Sequence, residues 1–250
     1  MNYQDINAKA IDLWCQNGWQ WGKAISHEEY QKALYGEWDV LLTPTKAVPH
    51  DWFGKLKGKK VLGLASGGGQ QIPIFTALGA KCTVLDYSNE QCEREREIAK
   101  REGYDVEIIQ FDMTRRLPFD DETFDLIFHP VSNCYVEKVK PIFKECYRIL
   151  KKDGILLCGL DNGINFIFDE TETTVKYKLP FNPLNDPQQY EESIKDAYRS
   201  IQFSHTLEEQ IGGQLEAGFI LTDLYEDTND EGKLHEYNIP SFLATRVIKP

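Results

Sequence analysis

Short apolar runs rich in β-branched residues alternate with amphipathic segments from residue 58 onward. Apolar runs of four to eight residues are typical of strands, whereas apolar positions three or four residues apart are typical of helices. This alternation predicts an α/β fold in which a seven-stranded, mostly parallel sheet carries helices on both faces. The predicted strands are residues 60–64, 81–86, 106–111, 124–129, 155–160, 219–226 and 242–248.

Helix starts are marked by two capping boxes. Ser88 and Gln91 have the spacing at which each side chain bonds a free backbone N–H of the first turn. Thr206 and Glu209 repeat that spacing ahead of a later helix. The charged run at residues 93–97, inside the helix that Ser88 opens, is interpreted as a face in contact with water.

Two segments fall outside the alternation. Residues 1–57 have the pattern of helical pieces and loops, and they hold all five tryptophans of the chain. Residues 161–203 form an aromatic-rich excursion that is far longer than an ordinary connection. We therefore expect an N-terminal lid or cap at 1–57 and a main domain at 58–250, with 161–203 as a substrate-side insertion.

Composition and charge limit the possible partners. The chain has 28 Lys and Arg against 40 Asp and Glu, and its net charge of −12 argues against nucleic-acid binding. The six cysteines show neither a C-x-x-C pair nor zinc-site spacing, so we expect reduced thiols and no metal. The start lacks a signal-peptide pattern, and no apolar stretch approaches ~18 residues. These features predict a cytoplasmic protein that does not span a membrane.

The candidate chemistry begins at a glycine-rich loop between the first predicted strand and a predicted helix at 70–78. Such a loop lets a ligand approach the backbone, and the helix start offers free N–H donors. A tight strand-to-helix turn without a ligand is the alternative. In order, the loop consists of Ala65, Ser66, Gly67, Gly68, Gly69 and Gln70.

Acidic residues end the next two predicted strands. Asp86, with Tyr87 beside it, lies 17 residues after Gly69 and can accept hydrogen bonds from a ribose diol. Asp112 can accept a hydrogen bond from an adenine amino group while Met113 packs against the ring. Helix-cap and turn roles are the alternatives for both carboxylates. Because open α/β sheets bind ligands at the carboxyl ends of their strands, the three loops together predict one cofactor site.

With these loops the sequence resembles the class I S-adenosylmethionine-dependent methyltransferases, particularly the type 11 group, over residues 58–160. The resemblance implies a Rossmann-like sheet, S-adenosylmethionine as the cofactor and a small-molecule methyl acceptor. It also implies that residues 65–70 hold the methionine part of the cofactor. In the same way, Asp86 would bind its ribose, and Asp112 with Met113 its adenine.

The chain departs from the family pattern at several positions. Gly63 stands where the family usually has an acidic residue, and Ala65 stands where it usually has glycine. Many relatives carry two histidines where this chain has Cys134 and Tyr135. The contacts near the amino group of the cofactor are therefore expected to come from other residues, and no catalytic role transfers to these positions.

His129 is the leading candidate for a catalytic base and a further cofactor contact. It ends a predicted strand beside the expected methionine end of the cofactor, and an amine or hydroxyl acceptor needs to lose a proton. A structural histidine before Pro130 is the alternative. Asp161 and His205 are weaker candidates for the base, and Asn133 is a candidate for binding a polar group of the acceptor.

Two other functions remain open from the sequence. Gly63, Ala65 and Gly68 loosely fit a dinucleotide fingerprint, which favours an NAD(P)-dependent oxidoreductase. A protein that binds S-adenosylmethionine without turnover would fit the missing histidines. The tryptophans of residues 1–57 suit a cap over a sulfonium through cation–π attraction, and ordinary helix packing is the alternative.

Overall fold

One seven-stranded sheet organises the molecule. The computed structural model describes residues 2–250. The strand order is β3-β2-β1-β4-β5-β7-β6; β1 to β5 run parallel, and β7 runs antiparallel to both of its neighbours. The predicted fold class is therefore confirmed. The strands are β1 (Lys60–Leu64), β2 (Lys81–Asp86), β3 (Glu107–Gln110), β4 (Phe124–His129), β5 (Leu150–Asp161), β6 (Ile220–Asp227) and β7 (Phe242–Ile248).

Helices cover both faces of the sheet. Phe143 lies in the core on one face, and Phe75 and Trp52 lie in the core on the other. No helix within residues 2–250 is long and apolar enough to cross a membrane. The α-helices are α1 (Tyr3–Gln16), α2 (His27–Leu34), α3 (Ile72–Ala77), α4 (Asn89–Glu102), α5 (Lys140–Ile149), α6 (Pro187–Ser193), α7 (Gly213–Glu216) and α8 (Lys233–Glu236).

The fifth strand is longer than predicted. It begins at Leu150 rather than at residue 155 because the expected turn remains hydrogen-bonded to the end of the chain. Asp153 N donates to Lys249 O at 2.8 Å, and Lys249 N donates to Gly154 O at 2.9 Å. Asp153 reaches this pairing with a φ of 61°, in the left-handed region.

Only one of the two predicted capping boxes is complete. Thr206 and Glu209 exchange both hydrogen bonds, at 3.1 and 3.0 Å. Ser88 accepts from Gln91 N at 3.2 Å, but its own backbone N–H donates to Asp86. The reciprocal half predicted for Gln91 is therefore wrong: its side chain turns away and donates to Trp21 O at 3.3 Å.

The N-terminal segment docks on the carboxyl edge of the sheet, at the junction between β2 and α4. Asp12 of α1 accepts hydrogen bonds from Ser88 Oγ at 2.5 Å and from Glu90 N at 3.0 Å. The hydroxyl of Tyr87 donates to Asp5 at 2.6 Å. These bonds hold α1 beside the loops that were predicted to bind the cofactor.

Candidate functional site

A cavity of about 850 Å³ opens at the carboxyl edge of the sheet. Its wall is built from the loops after β1 to β5, the N-terminal segment and the segment that follows β5. Eight of the predicted cofactor residues line it, whereas Gly68, Gly69 and His129 do not. The eight are Ala65, Ser66, Gly67, Gln70, Asp86, Tyr87, Asp112 and Met113.

The glycine loop is shaped by close contacts as well as by backbone conformation. A Cβ on Gly67 would lie 2.7 Å from Gln91 Cβ and 3.0 Å from Asp86 Oδ2, which is too close for any side chain. Gly68 and Gly69 have φ values of 93° and 74°. Ala65 is also left-handed, with φ at 48°, at the position where the family usually has glycine. An L residue in this region carries strain that glycine does not.

Asp86 joins the glycine loop to the start of α4. Its Oδ2 accepts from Gly67 N at 3.0 Å, and its Oδ1 accepts from Ser88 N at 2.9 Å. Burial raises its pKa to about 6, although the backbone hydrogen bonds act in the opposite direction. A carboxylate accepts about four hydrogen bonds, so two positions remain for a diol that enters the cavity. These acceptor positions fit the ribose hydroxyls of the predicted cofactor.

Asp112 and Met113 lie together at the end of β3. Asp112 Oδ1 accepts from Thr114 N at 2.9 Å and from Thr114 Oγ1 at 2.7 Å. Its Oδ2 lies 3.4 Å from Arg115 Nε, which leaves that oxygen room for another donor. Met113 is buried and belongs to the core against the sheet. This pairing of a carboxylate with a thioether wall fits an adenine ring with its amino group.

Glu95 supports the loop from behind and corrects the interpretation of residues 93–97 as a water-facing surface. Its side chain is fully buried, and Oε1 accepts from Gly69 N at 2.6 Å. Burial raises its pKa to about 8. Helical phase could have revealed this position, because Cys92, Glu95 and Ile98 are three residues apart and all three are buried.

His129 lies behind the cavity wall. The residue is fully buried; Nδ1 is 2.8 Å from Leu64 O and Nε2 is 2.9 Å from Asn133 Oδ1. Burial lowers its pKa. Neither nitrogen is free to reach a molecule in the cavity. The geometry corrects the sequence interpretation: it favours a structural histidine over a base and over a cofactor contact.

A chain of buried amides extends from His129 to β5. Asn133 Nδ2 donates to Gln210 Oε1 at 2.9 Å, and Gln210 Nε2 donates to the main-chain oxygen of Asp161 at 3.0 Å. The backbone carbonyl of Asp161 therefore orients the Gln210 amide, which in turn orients the Asn133 amide. Sequence reasoning missed Gln210, which lies 77 positions from Asn133 and joins it only in the folded protein.

Asp161 ends β5 and lines the cavity. Its Oδ1 accepts from Gly163 N at 2.9 Å, whereas Oδ2 is buried without a hydrogen-bond partner. Burial raises its pKa to about 7. A buried oxygen without a partner is uncommon in proteins and marks a position where a ligand donor would fit.

The remaining sequence candidates occupy structural positions. His205 Nε2 lies 3.1 Å from Asn133 O and 2.9 Å from Val136 O, and burial lowers its pKa. Burial raises the pKa of Cys134 well above its usual value, so its thiol stays protonated. Asn133 bonds His129 and Gln210, is buried and does not line the cavity.

Both flanking segments contribute aromatic side chains to the cavity. Trp19 and Trp21 line it from residues 1–57, and Phe166 and Phe168 line it from residues 161–203. Phe166 also stacks on Phe181 with ring centroids 5.5 Å apart. Phe166 thus forms a stacked pair with Phe181 and also lines the cavity.

The chain is similar to known methyltransferases. A family model described as "Methyltransferase domain" matches residues 62–158. The Bacillus subtilis protein called "Uncharacterized methyltransferase YbaJ" is 42% identical over 249 residues, and the match covers 97% of each chain.

Solved structures share the fold. An S-adenosylmethionine-dependent methyltransferase from Mesorhizobium loti superposes with a TM-score of 0.62 at 16% identity, covering 79% of this chain and 94% of its own. A protein described as a putative S-adenosylmethionine-dependent methyltransferase from Listeria monocytogenes gives a TM-score of 0.61 at 19% identity, covering 80% and 97%.

Proposed function

The chain belongs to the class I S-adenosylmethionine-dependent methyltransferases, and from that premise we propose that it transfers a methyl group to a small-molecule acceptor. Its cofactor is S-adenosylmethionine. The observation that carries the proposal is the cavity at the carboxyl edge, where Asp86 has two acceptor positions left beside the glycine loop. Family membership argues against the oxidoreductase alternative.

We assign the cofactor half of the cavity as follows. Of the loop at residues 65–70, Ala65, Ser66, Gly67 and Gln70 line the cavity and would hold the methionine part. Asp86 accepts the ribose hydroxyls, and Asp112 with Met113 receives the adenine. His129 is a positioning residue: it ties Leu64, directly before the loop, to Asn133 and so fixes the spacing between β1 and the segment after β4.

The bound cofactor supplies an electrophilic methyl group on a sulfonium. The task of the protein is then to hold an acceptor atom in line with that methyl group, and alignment alone lowers the barrier by several kcal/mol, about 7–11 in favourable intramolecular cases. Trp19 and Trp21 support a role for residues 1–57 as a cap over the cofactor.

Residues 161–203 are proposed as the acceptor-side insertion of the domain at 58–250. Phe166 and Phe168 support this assignment, since they line the cavity beyond the loops assigned to the cofactor. The six cysteines are all free thiols, which suits a reducing compartment, and we propose the cytoplasm.

Calorimetric titration of the full chain tests the proposal. S-adenosylmethionine and S-adenosylhomocysteine should each bind, and NAD and NADP should give no heat at the same concentrations. Incubation with S-adenosylmethionine and a defined set of small acceptors should then release S-adenosylhomocysteine. Binding of NAD without a response to S-adenosylmethionine would overturn the cofactor assignment.

A further inference from the structure

We propose that the methyl acceptor is an amine, which enters as an ammonium ion and gives up a proton to Asp161 before it is methylated. The inference rests on the proposed function and adds the substrate class and the residue that takes the proton. Three properties of the acceptor side of the cavity support it: its charge, the unsatisfied carboxylate oxygen, and its aromatic wall.

The charge of the cavity is strongly one-sided. Among residues 2–250, six carboxylates line it and the only lining cation is Arg199, which lies 3.8 Å from Glu170 and 3.6 Å from Asp196. Field lines concentrate in a cleft of one sign, so the cavity attracts cations and repels carboxylates and phosphates. The six lining acids are Asp86, Asp112, Asp161, Asp169, Glu170 and Glu172.

Four of these acids lie away from the cofactor loops. Asp86 ends β2 and Asp112 lies two residues after β3, whereas Asp161 ends β5 and the other three follow it in the insertion. The negative charge is thus present where the acceptor would enter. An amine carries the complementary positive charge at neutral pH, and an alcohol, a thiol or an acid does not.

Asp161 has the position that a proton acceptor needs. Cys158 of β5 pairs with His129 at the end of β4, and Asp161 lies three residues further along the strand. At about 3.3 Å per residue, it stands about 10 Å beyond the level at which β4 ends. It therefore lies past the end of β4, on the side of β4 away from β1 and β2, where it is still paired with β7 and lines the cavity.

The unsatisfied oxygen of Asp161 matches an ammonium donor. Oδ1 is already bonded to Gly163 N, and Oδ2 is buried without a partner. An ammonium N–H would complete its hydrogen bonding and neutralise the buried carboxylate, which is costly to leave unpaired. No lysine, arginine or histidine is bonded to Asp161 among the described residues, so the protein leaves that role to the ligand.

The wall around this carboxylate is aromatic. Tyr135, Phe166, Phe168 and Phe242 line the cavity, and Phe242 is the register partner of Asp161 on β7. Aromatic faces attract cations and also pack against apolar groups. The favoured acceptor is therefore an amine on an apolar or aromatic body.

The proton balance of the proposed step is simple. The ammonium passes one proton to the ionised carboxylate of Asp161, which frees the lone pair on nitrogen. That pair forms the new N–CH₃ bond as the S–CH₃ bond breaks, and the bonding pair stays on sulfur, which becomes the neutral thioether of S-adenosylhomocysteine. The product leaves as a methylated ammonium, and Asp161 returns its proton to solvent.

A head-group series tests the substrate class. Phenethylamine, phenethyl alcohol, phenethyl thiol and hydrocinnamate share one body, and hexylamine, hexanol, hexanethiol and hexanoate repeat the comparison without the ring. The full chain is incubated with each probe and S-adenosylmethionine, and both S-adenosylhomocysteine and the methylated product are measured by mass spectrometry. Products from the amines alone support the proposal. Methylation of another head group, or of no amine, overturns it, while intact S-adenosylmethionine binding would leave the proposed function standing.

Substitution at Asp161 tests the residue. Asp161→Asn should lower kcat/KM for the amine at least about 100-fold, as expected for a lost base, while S-adenosylhomocysteine affinity stays unchanged. Asp161→Glu restores a carboxylate and should recover part of the rate, which separates proton transfer from packing. Asp120→Asn, at an exposed position, is the matched control and should behave as the parent. A fully active Asp161→Asn variant would rule out the assigned role.

Discussion

The carboxylate of Glu95 accepts a hydrogen bond of 2.6 Å from the backbone nitrogen of Gly69, so a fully buried acid on α4 anchors the last glycine of the cofactor loop. Its second oxygen has no partner. At the position where the family usually has an acid, β1 carries Gly63, whose Cβ would lie 2.8 Å from Ile72 Cδ1. The acidic support of this loop thus comes from the helix behind it rather than from the strand before it.

Glu95→Gln should flatten the dependence of stability on pH. Burial raises the pKa of Glu95 to about 8, and the pKa values of Cys82 and Tyr104 nearby are also raised, in part by its charge. Because the pKa of Glu95 is higher in the folded than in the unfolded protein, its protonation stabilises the folded state. This contribution is fully present below pH 4.5, the pKa in the unfolded protein, and is lost as the pH rises through about 8. The loss amounts to at most about 5 kcal/mol. Glutamine can accept the Gly69 bond without titrating.

Urea unfolding of the unliganded protein at pH 5, 6, 7 and 8 measures this effect. Part of the pH dependence of stability should remain in the variant, because the pKa of Asp86 is also raised. Glu93→Gln, on the exposed face of the same helix, is the control and should retain the parental slope. An unchanged slope in Glu95→Gln would contradict the assignment.

Ala65→Gly should relieve strain in the cofactor loop. At a φ of 48°, alanine pays a steric cost that glycine does not, and this offsets the greater freedom of glycine in the unfolded chain. The free energy of unfolding should stay constant or rise by up to about 1 kcal/mol. Ala99→Gly, inside α4, should lower it by about 0.5–1 kcal/mol. Chemical denaturation of both variants decides the matter, and equal losses would refute the strain argument.

Asp86→Ala should weaken S-adenosylmethionine binding by about 1–3 kcal/mol, because ligand hydroxyls lose their acceptor. The same change releases Gly67 N and Ser88 N, so the loop loosens as well. Calorimetry measures the affinity, with Asp120→Ala as the surface control. A folded Asp86→Ala variant of parental affinity would move the ribose contact to another residue.

The sequence was sufficient for the features that local patterning determines. The strand-end positions of Asp86 and Asp112 follow from the alternation of strands and helices, because parallel strands bring their carboxyl ends to one edge. The burial of Glu95 could have been predicted in the same way, since it continues the three-residue spacing of Cys92 and Ile98. The charged residues on either side favoured the interpretation of a water-facing surface instead.

The role of His129 could not be predicted in the same way. Its position at a strand end is shared by catalytic and structural histidines, and the difference lies in what the ring contacts. Asn133 is four residues away, but Leu64 is 65 positions distant, and Gln210, which orients Asn133, comes from a helical segment far along the chain. Such a network depends on tertiary packing and leaves no periodic signal in the sequence.

His129→Ala should therefore lower the free energy of unfolding more than it affects the methyl-transfer step. Removal of the ring breaks its contacts with Leu64 O and with the Asn133 side chain and opens a cavity, at a cost of about 2–4 kcal/mol. The pH profile of the remaining turnover should keep its shape. His235→Ala, at an exposed position, should change neither stability nor rate. A stable His129→Ala variant with altered pH dependence and a loss of about 100-fold or more would restore His129 as the base.

Tryptophan emission tests whether residues 1–57 cover the cofactor. Trp19 and Trp21 line the cavity, whereas Trp38 stacks on His50 with ring centroids 4.0 Å apart and does not line it. S-adenosylhomocysteine should therefore change the emission of the parent and of Trp38→Phe. The change should disappear in the double variant Trp19→Phe/Trp21→Phe, whose affinity is measured in parallel by calorimetry. If the signal persists in the double variant, Trp19 and Trp21 are not the residues that cover the cofactor.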